Sequence, residues 1–261
     1  MHTDKNCCYQ CPSVFICGSL PRYPENVQVR EWLKQASSVS VLTGAGVSAE
    51  SGVPTFRGSN GLWKQYRSED LATPQAFARD PKLVWEWYDW RRGLLAQAKP
   101  NPGHHALAEI EKLVPEFTLI TQNVDDLHEQ AGSRGVLHLH GSIWIVRCVA
   151  CGRETLDKRS PIPELPPACS CGALLRPGVV WFGEALPSNV WNAAETAARN
   201  ADLFLVVGTS AVVYPAAGLA QIAKRAGARV VEINIAETAL SDAIDEFLQG
   251  PSGELLPRLI A

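Results

Sequence analysis

The sequence predicts an α/β protein built on a doubly wound parallel sheet of Rossmann type, with a small metal-binding insert. Three observations predict it. Apolar runs that stop abruptly at glycine or polar turns recur along the chain: Val39–Leu42 before Gly44, Phe117–Ile120 before Thr121, and Leu203–Val207 before Gly208. Helical patterns separate the runs, the β-α-β alternation of a parallel sheet. Residues 147–176 break that alternation and are rich in Cys, Pro and Gly.

In chain order, residues 1–24 read as a disordered extension, although Cys7, Cys8, Cys11 and Cys17 have loose metal-like spacing. Gln28–Ala36 reads as a short amphipathic helix leading into the first strand. Thr73-Pro74 and then Pro81 mark helix starts, the second with a dense apolar side of Leu83, Val84, Trp87 and Trp90. Pro102 precedes another helical stretch, Ala106–Leu113, and Val136–Leu139 alternates as a strand does. After the insert, strands are expected at Val179–Phe182, Leu203–Val207 and Arg229–Ile233, with helices at Asn189–Asn200 and Ala216–Ala226. The expected division is a nucleotide-binding domain from 25–146 and 177–261, an insert at 147–176, and a contribution to the small lobe from about 53–100. A chain of 261 residues is long enough for that arrangement.

A formal net charge of −3 with 20% charged residues gives no field that would favour bulk nucleic-acid or membrane binding. No apolar stretch approaches the roughly 20 residues that span a bilayer. The expectation is a soluble, cytoplasmic monomer. Cys148-Val-Ala-Cys151, with Gly152 behind it, is the knuckle that lets two thiolates converge on one ion, and Cys169-Ser-Cys171 can offer two more. A pair of disulfides is the other reading, disfavoured in a reducing compartment.

The candidate nucleotide site begins at Gly44, Ala45, Gly46, Ser48 and Ala49, in GAGVSAESGVPTFRG. A glycine turn after a strand leaves backbone N–H groups for phosphates with no Cβ in the way. The third glycine of G-x-G-x-x-G is missing, and a plain tight connection would read the same. Thr55, Phe56 and Arg57 add an aromatic face and a cation. Gln122, Asn123, Val124 and Asp125 lie past another strand, where open α/β sheets bind ligands, as do Gly208, Thr209 and Ser210. His140 stands before Gly141, with His128 and His138 as rivals.

These segments, together with LHG, the cysteine pairs, VVWFGE, GTS and VVEIN in that order, resemble the sirtuins, the NAD-dependent protein lysine deacylases, over about residues 25–260. The resemblance implies NAD and one structural zinc ion, held by Cys148, Cys151, Cys169 and Cys171. It implies that an acyl-lysine carbonyl oxygen attacks the ribose C1′ as nicotinamide leaves, and that the 2′-hydroxyl then takes the acyl group. His140 would be the base, with Asn123 and Asp125 in catalysis and binding. Glu50, Trp63, Gln122, Asn234, Ile235, Ala236 and Ser252 would join the nucleotide contacts, Ser252 in a loop closing over adenine. Val180, Phe182, Gly183 and Glu184 would pair with substrate proteins as an exposed edge strand.

Tyr88-Asp-Trp-Arg91 resembles the pair by which class III sirtuins read the acid end of succinyl, malonyl or glutaryl lysine, and Ala72 their small pocket-wall residue. Positions i and i+3 share a helix face, so a phenol and a guanidinium can meet one carboxylate. Arg92 points about 100° away. A general deacetylase or a mono-ADP-ribosyltransferase is the alternative enzyme, and a non-catalytic zinc-ribbon protein the alternative class.

Overall fold

The computed structural model describes residues 26–56, 61–62 and 67–261. The expectations for the N-terminal extension and its four cysteines, and for Arg57 and Trp63, fall outside these residues. The helices are α1 (Val27–Gln35), α2 (Ala45–Ala49), α3 (Ser68–Leu71), α4 (Pro74–Arg79), α5 (Pro81–Gln97), α6 (Pro102–Leu113), α7 (Leu127–Ala131), α8 (Ser188–Asn200), α9 (Gly218–Ala226) and α10 (Ser252–Ile260). The strands are β1 (Ser38–Thr43), β2 (Glu116–Thr121), β3 (Leu137–His138), β4 (Gly141–Cys148), β5 (Glu154–Leu156), β6 (Leu175–Val179), β7 (Leu203–Val207), β8 (Arg229–Asn234) and β9 (Glu246–Gln249).

Six strands form a parallel sheet in the order β3-β2-β1-β7-β8-β9. Its central strands are covered on both faces, which is why they read as unbroken apolar runs. Val39, Val41, Leu205, Val207 and Val231 face a core closed by α1, α6 and α10. Leu42, Phe204, Val206 and Val230 face the other, closed by α8 and α9. Each such side chain, fully buried, contributes ~1.5–3 kcal/mol.

Local chemistry starts the helices where the proline positions predict. Thr73 and Asp80 accept from the backbone of Ala76 and Leu83, with Pro74 and Pro81 in the first turn. Asn101 caps α6 by accepting from Gly103 N–H at 2.9 Å, and the ring of His104 completes a reciprocal cap. That cap fixes a histidine deep under the later site.

The second sheet is three-stranded and antiparallel, β5-β4-β6. It runs from Gly141 to Val179, wider than 147–176, and packs with α4 and α5 around Trp85, Trp87, Ile143, Trp144 and Trp181. One expectation is corrected here. The apolar segment Val179–Phe182 is not a strand of the parallel sheet: β6 ends at Val179 in the small sheet, and the chain then turns, Glu184 N–H bonding to Trp181 O at 3.0 Å.

Candidate active site

A cavity of about 690 Å³, within the range of ligand sites, lies at the carboxyl ends of β1, β2, β7 and β8 and reaches across to the small lobe. Side chains past the strand ends tie these strands to one another. Gln122 Nε2 donates to Thr209 Oγ1 at 3.0 Å, Asn234 Nδ2 to Thr209 O at 2.8 Å, and Asn123 Nδ2 to Gly44 O at 3.1 Å. Asn123 also donates to Ser48 Oγ at 3.1 Å, which uses both amide hydrogens and leaves its carbonyl oxygen as an acceptor for a ligand or a water.

The glycines of this turn also serve the packing of the protein itself. The N–H groups of Gly44 and Gly46 are not free: they bond to Val207 O at 3.0 Å and Gly208 O at 2.7 Å. A Cβ on Gly46 would lie 2.6 Å from Gly208 O, and Gly208, at φ +58, approaches Val47 N just as closely. The two glycine turns lock together, and each leaves no room for a side chain on the other.

Beneath the cavity lies a buried polar layer. Ser48 Oγ donates to Asp125 Oδ2 at 3.1 Å and accepts from Asn123, with His104 Nε2 at 3.4 Å. Burial pushes the Asp125 carboxyl up, while Leu127 N–H and Ser48 hold the charged form. Burial lowers His104 to about 4, so its ring is neutral. Ser48 and Asp125 therefore lie just beneath the residues that line the cavity.

His140 lines the cavity, whereas the rival histidines are engaged elsewhere. His128 is buried against Thr43 Oγ1, and His138 pairs with Glu129 at 2.6 Å. The Nδ1 of His140 lies 3.0 Å from Gln122 O. A carbonyl only accepts, so Nδ1 carries the hydrogen and Nε2 keeps its lone pair. Burial lowers the pKa of the ring. Gly141 follows in a left-handed turn, φ +72, where a Cβ would meet Gly178 O at 2.2 Å.

On the small-lobe side α5 brings Tyr88 and Arg91 to the same wall, with Ala72, Phe56 and Trp87 beside them. Both are buried, at 3% and 6% exposure. The Arg91 guanidinium lies 4.6 Å from the Phe56 ring and 5.1 Å from that of Trp87, and among the described residues no carboxylate pairs with it. Burial pulls its pKa down, and burial pushes the Tyr88 phenol up to about 12. Arg92 goes the other way, into the small lobe, where it donates to Ile143 O at 3.0 and 2.7 Å.

Of the remaining expected residues, Ala45, Ala49, Glu50, Thr55, Val124, Ser210, Ile235, Ala236, Ser252, Val180, Phe182 and Gly183 line the cavity. The Glu50 carboxylate, however, is engaged with Gly253 N–H at 2.7 Å. Glu184 does not line it; its carboxylate accepts from Arg176 Nη2 at 2.9 Å and from Trp181 N–H at 2.8 Å. Within Val180–Glu184 the backbone is partly engaged already: Val180 N–H bonds to His140 O at 2.8 Å and Phe182 N–H to Ala72 O at 2.9 Å. Sequence reasoning missed Trp87 and Trp181 as cavity walls, because buried aromatics read as core. It also missed Val212 and Tyr214, whose signal was large apolar side chains in a loop, 49% and 67% exposed.

About the metal centre the geometry is plain. Four sulfurs, those of Cys148, Cys151, Cys169 and Cys171, lie within 4.8 Å of one another, with closest pairs at 3.4 and 3.9 Å. A tetrahedral zinc with sulfurs at about 2.3 Å spaces them about 3.8 Å apart. The cysteines are positioned to bind one zinc ion, which would join the ends of β4 and β6.

Comparison with known proteins agrees with this geometry. The profile of the Sir2 family matches residues 44–215. The chain is 57% identical over 236 residues to NAD-dependent protein deacylase 2 of Pyrobaculum aerophilum, covering 90% of this chain and 94% of that protein. It superposes with a TM-score of 0.86 on the crystal structure of a Sir2 homologue–NAD complex, at 50% identity, covering 91% and 93% of the two chains. A Sir2 bound to a deacetylated p53 peptide and 3′-O-acetyl ADP ribose is 33% identical with a TM-score of 0.81, covering 91% and 98%. The chain belongs to the Sir2 family, the sirtuins.

Proposed function

We propose that this sirtuin, an NAD-dependent protein lysine deacylase, prefers lysines carrying acidic acyl groups such as succinyl and malonyl. The observation that carries the preference is Arg91: a guanidinium in the cavity wall, buried to 6% exposure, with Asp125 attracting it only from beyond salt-bridge distance and no carboxylate in contact among the described residues. A cation in an aromatic wall is stabilised by an anion that arrives with the substrate. Tyr88, one helical turn before it, supplies a second donor.

Residues at the strand ends would hold the dinucleotide: Thr209, Ser210 and Asn234 through hydroxyl and amide groups, Gln122 and Asn123 nearer to His140. Bound NAD supplies the ribose C1′ and the 2′-hydroxyl that accepts the acyl group. His140 takes the hydroxyl proton on Nε2, because Nδ1–H is committed to Gln122 O and burial keeps the ring neutral. Asn123 is oriented by its two donated bonds to Gly44 and Ser48, and Asp125 holds Ser48 from below. The aromatic walls, Phe56, Trp87 and Trp181, exclude water from the acyl group. Ala72, the smallest side chain of that wall, leaves room for a chain longer than acetyl.

The test is a set of peptides of one sequence bearing acetyl, malonyl, succinyl or glutaryl lysine, under saturating NAD, with the native protein and Arg91→Met. Native protein should favour the acids. Loss of the cation should lower desuccinylation about 10²–10³-fold, the cost of leaving a buried charge unpaired. Equal losses on succinyl and acetyl peptides would reject the assignment.

A further inference from the structure

Behind the acyl chamber, the indole Nε1–H of Trp181 donates to the Tyr88 hydroxyl at 3.0 Å, within the buried wall. A phenol has one proton to donate and lone pairs that accept. The hydroxyl prefers the plane of its ring, so an indole N–H on one in-plane side leaves the proton to the other side, for the cavity. We propose that Trp181 is a positioning residue that fixes Tyr88 as a donor, so that the chamber selects acyl chains ending in a carboxylate over the same chains ending in a carboxamide. The inference rests on the reading that Tyr88 and Arg91 receive the acyl terminus.

The discrimination follows from counting donors and acceptors. A terminal carboxylate offers two acceptor oxygens, one for the Arg91 fork and one for the Tyr88 proton. A terminal carboxamide offers one acceptor and an NH₂. Its NH₂ is well satisfied only if the Tyr88 hydroxyl turns its proton away, and that turn would drive the proton against the Trp181 N–H. An NH₂ facing a donor in a dry chamber goes unpaired.

Trp181 is itself held from several sides. Its ring is 3% exposed, tilted against Phe77 at 5.4 Å, and the Arg176 guanidinium carbon lies 3.4 Å from its centroid. Glu184 fastens the backbone of Trp181 and the Arg176 side chain together. A cation against the indole face draws density from the ring and sharpens the N–H as a donor. Glu184, expected to touch substrate, thus acts two residues removed. The phenol, pushed up to about 12 by burial, keeps its proton throughout the working range.

The experiment compares kcat/KM on acetyl-, succinyl- and succinamoyl-lysine peptides for the native protein, Trp181→Phe, Tyr88→Phe and the double variant. Trp181→Phe keeps the ring and removes the N–H. The succinyl-over-succinamoyl preference should fall about five- to tenfold, the worth of a fixed hydrogen bond to a charged group. Tyr88→Phe should lower the same preference by at least as much, the remainder resting on Arg91, and the double variant should match Tyr88→Phe alone. A uniform loss on all three peptides would overturn the proposal, leaving Trp181 a packing residue. A second reading uses no Trp181 variant: the Trp181 indole N–H resonance should move upfield in Tyr88→Phe, and an unmoved signal also overturns it. Arg91→Met separates the two levels. If it selectively removes desuccinylation while Trp181→Phe changes no ratio, this inference fails alone; if it spares the succinyl-over-acetyl ratio, the underlying reading fails.

Discussion

The rim proposed to hold the nucleotide and the chamber proposed to receive the acyl group share one cavity but are made of opposite materials. Along the rim the polar groups are neutral, Gln122, Asn123, Thr209, Ser210 and Asn234, several already bonded to one another across four strand ends. In the chamber, one cation and one phenol sit in a wall of Phe56, Trp87 and Trp181. A long ligand held by many weak contacts tolerates the loss of any one. A single charge in a low-dielectric wall does not, because its energy is concentrated at one point. Substitutions on the rim should therefore give graded losses shared by every acyl substrate, and those in the chamber should change which substrate is used.

His140, held by Gln122 O, is the proposed base for every acyl substrate, so the largest effect is expected there. His140→Tyr should lower turnover by about 10²–10⁴, the worth of a general base, on acetyl and succinyl peptides alike. NAD binding, followed by calorimetry, should partly survive. Retained turnover would overturn the base assignment, and an acyl-selective loss would place His140 in the chamber.

Removing zinc comes next. The four cysteines join the ends of β4 and β6, which carry the small-lobe wall. Cys148→Ser, or a strong chelator, should lower Tm by ~5–10 °C and depress both activities together. A chelated protein that kept its succinyl-over-acetyl preference and its Tm would show that the chamber stands without the metal.

Much of the contrast between the regions was legible in the sequence, and the gaps have physical causes. β7 and β8 were read almost to the residue because a strand buried on both faces is a continuous apolar run. The same logic misled at Val179–Phe182, where equally apolar residues make a turn packed against the small lobe. β9 and α10 gave little signal: Glu246–Gln249 is short and half polar, and Pro257 interrupts the helical pattern. Depth was not legible either. Ser48 and Asp125 carry ligand-binding chemistry, but spacing cannot say that they lie one layer below the cavity. For the glycine turns the sequence could not show a second constraint, the close backbone packing against Gly208 that forbids a side chain on Gly44 or Gly46.

The acid limb of activity separates base from scaffold. Burial lowers His140 below the ordinary histidine value, so the acid limb of kcat/KM, as Nε2 becomes protonated, should have its midpoint below pH 6.5. Stability is lost in an overlapping window. His104, at about 4 when folded and near 6.5 when unfolded, binds its proton preferentially in the unfolded chain between those values. Its contribution is complete above pH 6.5 and is lost as pH falls toward 4, by ~1.4 kcal/mol per unit. Urea midpoints taken beside the rates should show unfolding as a separate, cooperative loss. An acid limb centred above pH 6.5 would contradict the environment assigned to His140.

The smallest effect is expected where the rim is fastened from outside. Glu50 accepts from Gly253 N–H at 2.7 Å and from Ser252 Oγ at 3.4 Å, holding the first turn of α10 against the glycine-rich turn after β1. Glu50→Ala removes a charge-assisted bond to exposed backbone, worth ~1 kcal/mol. The loop holding Gly250, Pro251 and Ser252 should loosen, raising the KM for NAD about three- to tenfold with a smaller change in kcat. Because this strut touches only the nucleotide end, the succinyl-over-acetyl ratio should not move. A shift in that ratio would mean that the two regions communicate through the sheet and that their separation, on which the contrast rests, does not hold.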